Sequence, residues 1–153
     1  MRAVGFECSG EEFIFVVVEG SQSKPSLVAR ETRKAPGNSD RPEQLQWLRR
    51  EVHAILDKYQ PEAVGYKAPQ SMPGRSVGQE RCQFEGILME AAFSHKLNIS
   101  MQGLITVQLK KKLGLSKIKG TDCLQSLIDT TLNGLPKKYS DAALVGLSQL
   151  EKD

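Results

Sequence analysis

The chain has 153 residues, 39% of them hydrophobic and 25% charged, with a formal net charge of +3. This composition excludes a disordered or fibrous chain and suits one domain with a real core, and the mild positive excess permits an anionic partner without demanding one. Three cysteines, Cys8, Cys82 and Cys123, are odd in number and contain no CxxC pair, which argues against a disulfide framework or a zinc site. With no charged-then-apolar leader and no apolar run near ~18 residues, the expectation is a cytoplasmic protein without membrane contact.

Residues 2–18 hold two apolar, β-rich segments around a turn containing Gly10, and the pattern predicts a β-hairpin. Glu7 ends the first segment, and a carboxylate there must face solvent or a polar site. After turn chemistry over Glu19 to Pro25, Ser26 to Thr32 alternates as a third strand, and the polar run from Lys34 to Pro42 reads as a loop. A helix follows from Arg41 or Pro42 to Tyr59, capped by Asp40, with Leu45, Leu48, Val52, Ile55, Leu56 and Tyr59 on its buried face. His53 lies beside that stripe with no acid paired to it and is given no role.

Ala63 to Tyr66 reads as a short strand stopping at Lys67, and Ser71 to Gly78 as a flexible loop carrying Arg75. A second helix from Gln79 to about Leu97 is expected to bury Cys82, Phe84 or Ile87, Leu88, Ala91 and Ala92. Residues 98–103 suggest a short strand, and residues 104–113 a short helix with Lys110, Lys111 and Lys112 exposed. A further helix spans Asp122 to Leu132, with Thr121 as its cap and Asn133 to Pro136 as its stop. The last runs from Asp141 to about Leu150, and its Ala142, Ala143 and Gly146 are small enough to pack closely on a sheet. The order is α/β, with an antiparallel hairpin at one side of the sheet.

This order resembles the RNase H-like fold: a mixed central sheet of antiparallel N-terminal and parallel strands, flanked by helices. The similarity is to RuvC-type Holliday-junction resolvases and spans nearly the whole chain. Val4 to Gly10 takes the place where that family has a metal-binding aspartate at the end of its first strand, with Glu7 for the aspartate. Lys67 stands where the family's fourth strand ends in glutamate. Gln83-Phe84-Glu85-Gly86 resembles the following helix. Of the paired aspartates heading the family's last helix, Asp141 matches the second, and Lys138 stands at the first.

Nucleases of this class hold two divalent cations about 4 Å apart on carboxylates, so that one activates water and the other stabilises the leaving oxygen. Two lysines for two acids shift the charge by about four units at a site that must attract cations. The reading is therefore a degenerate site of Glu7, Lys67, Lys138 and Asp141, with the lysines expected to pair with the acids and no cofactor expected. Arg75, Lys110, Lys111, Lys112, Lys117 and Lys119 are the candidate contacts to nucleic acid, and the resemblance implies a DNA junction or RNA hybrid as partner, and a homodimer. The first alternative is a Mg- or Mn-dependent endonuclease in which Glu7 and Asp141 are metal ligands and Glu11, Glu12, Glu80 or Glu85 substitutes for a missing acid. The second is a protein-interaction module that binds no nucleic acid.

Overall fold

The computed structural model describes residues 1–70 and 73–153. Ser71 and Met72, part of the loop expected to be flexible, lie outside the described residues. Strands β1 (Arg2–Cys8), β2 (Glu12–Gly20) and β3 (Pro25–Lys34) are followed by α1 (Arg41–Tyr59), β4 (Ala63–Lys67), α2 (Gln79–Ser94), β5 (Gln102–Leu104), α3 (Thr106–Lys112), α4 (Asp122–Thr131) and α5 (Ser140–Gln149). The sheet order is β3-β2-β1-β4-β5. Its hairpin strands pair antiparallel, whereas β4 pairs parallel with both β1 and β5. This is the mixed, helix-flanked sheet expected from the sequence.

Each strand residue faces opposite to its neighbour, so β1 divides its side chains between two cores. Val4, Phe6 and Cys8 join Phe13, Phe15 and the apolar stripes of α1 and α2, with Phe13 5.7 Å from Trp47 between ring centres. Ala3, Val16 and Val18 join α3, α4 and α5 on the other side. By the same alternation Gly5 and Glu7 face α5. Gly5 and its β4 partner Gly65 are in register, and α5 lies almost on the backbone there. A Cβ on Gly5 would come 1.9 Å from the Ala142 carbonyl oxygen and 2.6 Å from the Gly146 nitrogen. The small face of α5 and this bare strip of sheet together bring the first turn of α5 beside the ends of β1 and β4.

Asp40 caps α1 as expected, its carboxylate accepting the Glu43 N–H at 3.1 Å. Thr121 precedes α4 but its side chain makes no cap bond. Helix α2 ends at Ser94, short of Leu97, because His95 takes an extended backbone (ψ 155°); Asn98 is then left-handed (φ 49°) and the Ile99 N–H turns back to the Ala92 carbonyl at 3.2 Å. That return also keeps residues 98–101 out of the sheet, so β5 has only three residues. Cys82 is exposed rather than buried, since it lies roughly 200° around the helix from Phe84. His53 meets the Ala91 carbonyl through Nε2 at 2.9 Å, tying α1 to α2. Among the described residues no helix is long and apolar enough to cross a membrane.

Candidate functional site

Glu7 at the end of β1 and Asp141 in the first turn of α5 are brought together by the close Gly5 crossing. Lys67 closes β4 one residue beyond the Phe6–Tyr66 register pair, which sets it beside Glu7. The Glu7 carboxyl is pushed above its ordinary value of 4.5, first by burial and then by the charge of Asp141; Arg81 and Lys67 pull it back. One half-buried carboxylate thus feels a second carboxylate and two cations.

The expected pairing of acids with lysines does not form: among the described residues no ion pair joins Lys67 or Lys138 to Glu7 or Asp141. Lys67 Nζ instead donates to the Ala68 carbonyl at 3.1 Å. Lys138 sits in a 3₁₀ turn, Lys137–Tyr139, with its ammonium 4.9 Å from the centre of the Tyr139 ring, which Arg30 also approaches at 5.2 Å. The lysine that reaches the site is its neighbour. Lys137 lines a cleft of about 400 Å³ together with Lys67, Asp122, Gln125, Ser140 and Asp141.

Arg81 was not singled out from the sequence. It forms an ion pair with the nearly buried Glu85 at 2.9 Å and donates to the Lys67 carbonyl at 3.2 Å, bridging α2 to the end of β4. Arg81 and Glu85 stand four apart, a spacing that makes helical ion pairs and was the available signal. This pair removes Glu85 from the substitute ligands. Glu80 and Glu11 line a separate cleft beside Arg41. Glu12 borders a small pocket with Glu7 and Arg81. Among the described residues no three His, Cys, Asp or Glu side chains are grouped to hold a metal ion. The carboxylates of Glu7, Asp141 and Asp122 are interleaved with Lys67, Lys137 and Arg81, a mixed field that does not fit a pair of divalent cations, which need oxygen donors and a negative field.

Of the candidate nucleic-acid contacts, Arg75, Lys111, Lys112, Lys117 and Lys119 are exposed. Lys111 and Lys112 line a groove with Gln102, Gln108 and Lys152. Lys110 departs from expectation. It is half-buried, and its ammonium donates to the carbonyls of Ile118 and, at 2.8 Å, Gly120, so it braces the loop after α3 instead of facing solvent.

No family model matches the sequence, and no curated protein sequence matches it. Solved structures do. The structure of Thermus thermophilus RuvC superposes with a TM-score of 0.79 at 19% identity, over 97% of this chain and 92% of that one. T. thermophilus RuvC in complex with a Holliday junction substrate gives 0.76 at 17% identity, over 97% and 91%. The yeast mitochondrial Holliday junction resolvase Ydc2 gives 0.64 at 14% identity, over 95% and 76%. The antiparallel β1–β3 strands and the parallel β4 and β5, with their flanking helices, therefore form a RuvC-like, RNase H-like fold.

Proposed function

We propose that this protein binds branched nucleic acid, a DNA junction or an RNA hybrid, through its RuvC-type fold without cutting it by two-metal chemistry. The observation that carries the reading is the charge pattern at the ends of β1 and β4 and in the adjoining cleft, where Glu7, Asp141 and Asp122 are interleaved with Lys67, Lys137 and Arg81. A lysine or arginine attracts a backbone phosphate directly, whereas a cluster of acids needs metal ions to do so. Arg75, Lys111, Lys112, Lys117 and Lys119 supply further phosphate contacts, and the T. thermophilus RuvC complex supports a junction as the ligand. A homodimer agrees with this reading. The test is binding to a four-way junction and to a linear duplex of the same sequence at graded salt, without divalent metal. The reading expects tighter binding to the junction and a steep fall of affinity with salt. Binding that appears only when Mg²⁺ or Mn²⁺ is added overturns it.

One observation favours the nuclease alternative: the mutual repulsion of Glu7 and Asp141 is what a single bound cation would relieve, and Glu12 lies beside Glu7. Junction cleavage in Mn²⁺, lost in Glu7→Gln and Asp141→Asn, establishes that alternative. The interaction-module alternative draws on Phe93 and Met89, exposed on α2 by 60% and 40%. It requires that no salt-dependent nucleic-acid binding be found.

A further inference from the structure

The loop between α3 and α4 displays an apolar side chain in an unusual setting. Leu113 and Leu115 tuck against the core formed with α4 and α5. Ile118, the remaining apolar residue of the loop, is 48% exposed and stands between Lys117 and Lys119, both also exposed. Its backbone is held from two sides. The Ile118 N–H closes a turn on the Leu115 carbonyl at 3.1 Å, and the Lys110 ammonium grips the carbonyls of Ile118 and Gly120. Three lysines thus surround one isoleucine: one fixes the loop from beneath, and two flank the tip.

The position matters as much as the composition. Gly120, with a φ of +76°, turns the chain into Thr121 and Asp122, which line the cleft shared with Lys67 and Asp141. Ile118 is three residues from that wall, a chain span of at most about 11 Å. A side chain put forward by a braced loop and flanked by cations has the makeup of an apolar wedge, which enters between bases while neighbouring lysines hold the phosphates on either side. An exposed isoleucine contributes nothing to phosphate binding itself, and burial between bases would remove its apolar surface from water.

We propose that Ile118 inserts at an unstacked base step of the bound nucleic acid, with Lys117 and Lys119 seated on the flanking phosphates. The proposal rests on the nucleic-acid reading above and assigns the braced loop as the element that distinguishes a branch point from a continuous duplex. A continuous duplex makes every step pay for unstacking, while the steps at a branch are already weakened.

The experiment places 2-aminopurine, whose fluorescence rises when it unstacks, at the branch of a four-way junction and at the same sequence in a linear duplex. The wild-type chain is expected to raise the junction signal and leave the duplex signal nearly unchanged. Ile118→Ser should abolish the rise while salt-dependent binding persists, and Ile118→Leu should retain it. Lys117→Ala with Lys119→Ala should lower affinity and reduce the slope of log affinity against log salt by about 2. Unchanged melting temperatures show that each variant is folded. A full fluorescence response in Ile118→Ser overturns the wedge and leaves the binding reading intact, as does an Ile118 that proves protected by a protein partner. A wild-type chain that binds neither DNA at any salt concentration overturns the binding reading, and the wedge falls with it.

Discussion

Gly5→Ala tests how α5 is positioned. The added Cβ would lie 1.9 Å from the Ala142 carbonyl oxygen, where 3.0 Å is the practical minimum, and 2.6 Å from the Gly146 nitrogen. Both neighbours are backbone, so no side chain can swing aside and the helix must retreat by about 1 Å. Overpacking a close-packed interior costs about 1–3 kcal/mol, and a backbone-on-backbone clash belongs at the upper end, about 3 kcal/mol. For a chain of this size that corresponds to a melting temperature lower by about 6–12 °C. A second readout follows from the site. Asp141 rides on the displaced helix, so its contribution to raising the Glu7 carboxyl weakens and Glu7 titrates closer to 4.5 than in the wild type. Thermal unfolding followed by circular dichroism measures the first, and carboxyl-carbon NMR titration the second. A melting temperature within 2 °C of wild type (below the ~6 °C minimum worked above), with an unmoved Glu7 titration, would refute the close crossing.

The raised Glu7 carboxyl also sets a pH dependence. A carboxyl whose folded value lies above its unfolded value binds its proton more readily in the folded state. The stability it contributes is fully present below about pH 4.5 and is lost as pH rises through the folded value. Glu7→Gln is therefore expected to raise the melting temperature at pH 7.5 and to make little difference at pH 4, as paired unfolding scans would show. Arg81→Met leaves the nearly buried Glu85 without its partner at 2.9 Å; because Arg81 is partly solvated, the cost is about 2 kcal/mol by chemical denaturation, below that of a fully buried pair. The same substitution removes a cation from Glu7, whose titration should move further up. Asp40→Ala removes the cap on the Glu43 N–H and should cost about 1 kcal/mol, read in the same denaturation experiment.

The fold was legible because its signals are local and repeated. The apolar period of α1 and the small residues of α5 each specify a face, the apolar, β-rich runs of β1 and β2 around a turn specify a hairpin, and the order of elements does the rest. That Glu7 and Asp141 lie near each other was legible from the resemblance, which matches one to the end of the first strand and the other to the head of the last helix. The cations were less so. Whether Lys137 or Lys138 turns into the cleft depends on the 3₁₀ turn ahead of α5, where adjacent side chains diverge by about 120° and a one-residue change of phase exchanges them. Lys110 looks in sequence like its neighbours Lys111 and Lys112. Only the return of residues 118–120 to its ammonium distinguishes it, and that contact is set by loop closure over several residues. Arg81 was hidden for a different reason: its distance to Glu7 is a tertiary fact, created when α2 packs across the ends of β1 and β4.

The central claim is that the RuvC-type fold here holds nucleic acid with cations where hydrolysis would need a cluster of acids. A single titration of labelled four-way junction, resolved on native and denaturing gels with and without Mn²⁺, addresses it directly. The account predicts a metal-independent, salt-sensitive complex on the native gel and an intact strand on the denaturing gel. A Mn²⁺-dependent product that disappears in both Glu7→Gln and Asp141→Asn would contradict it.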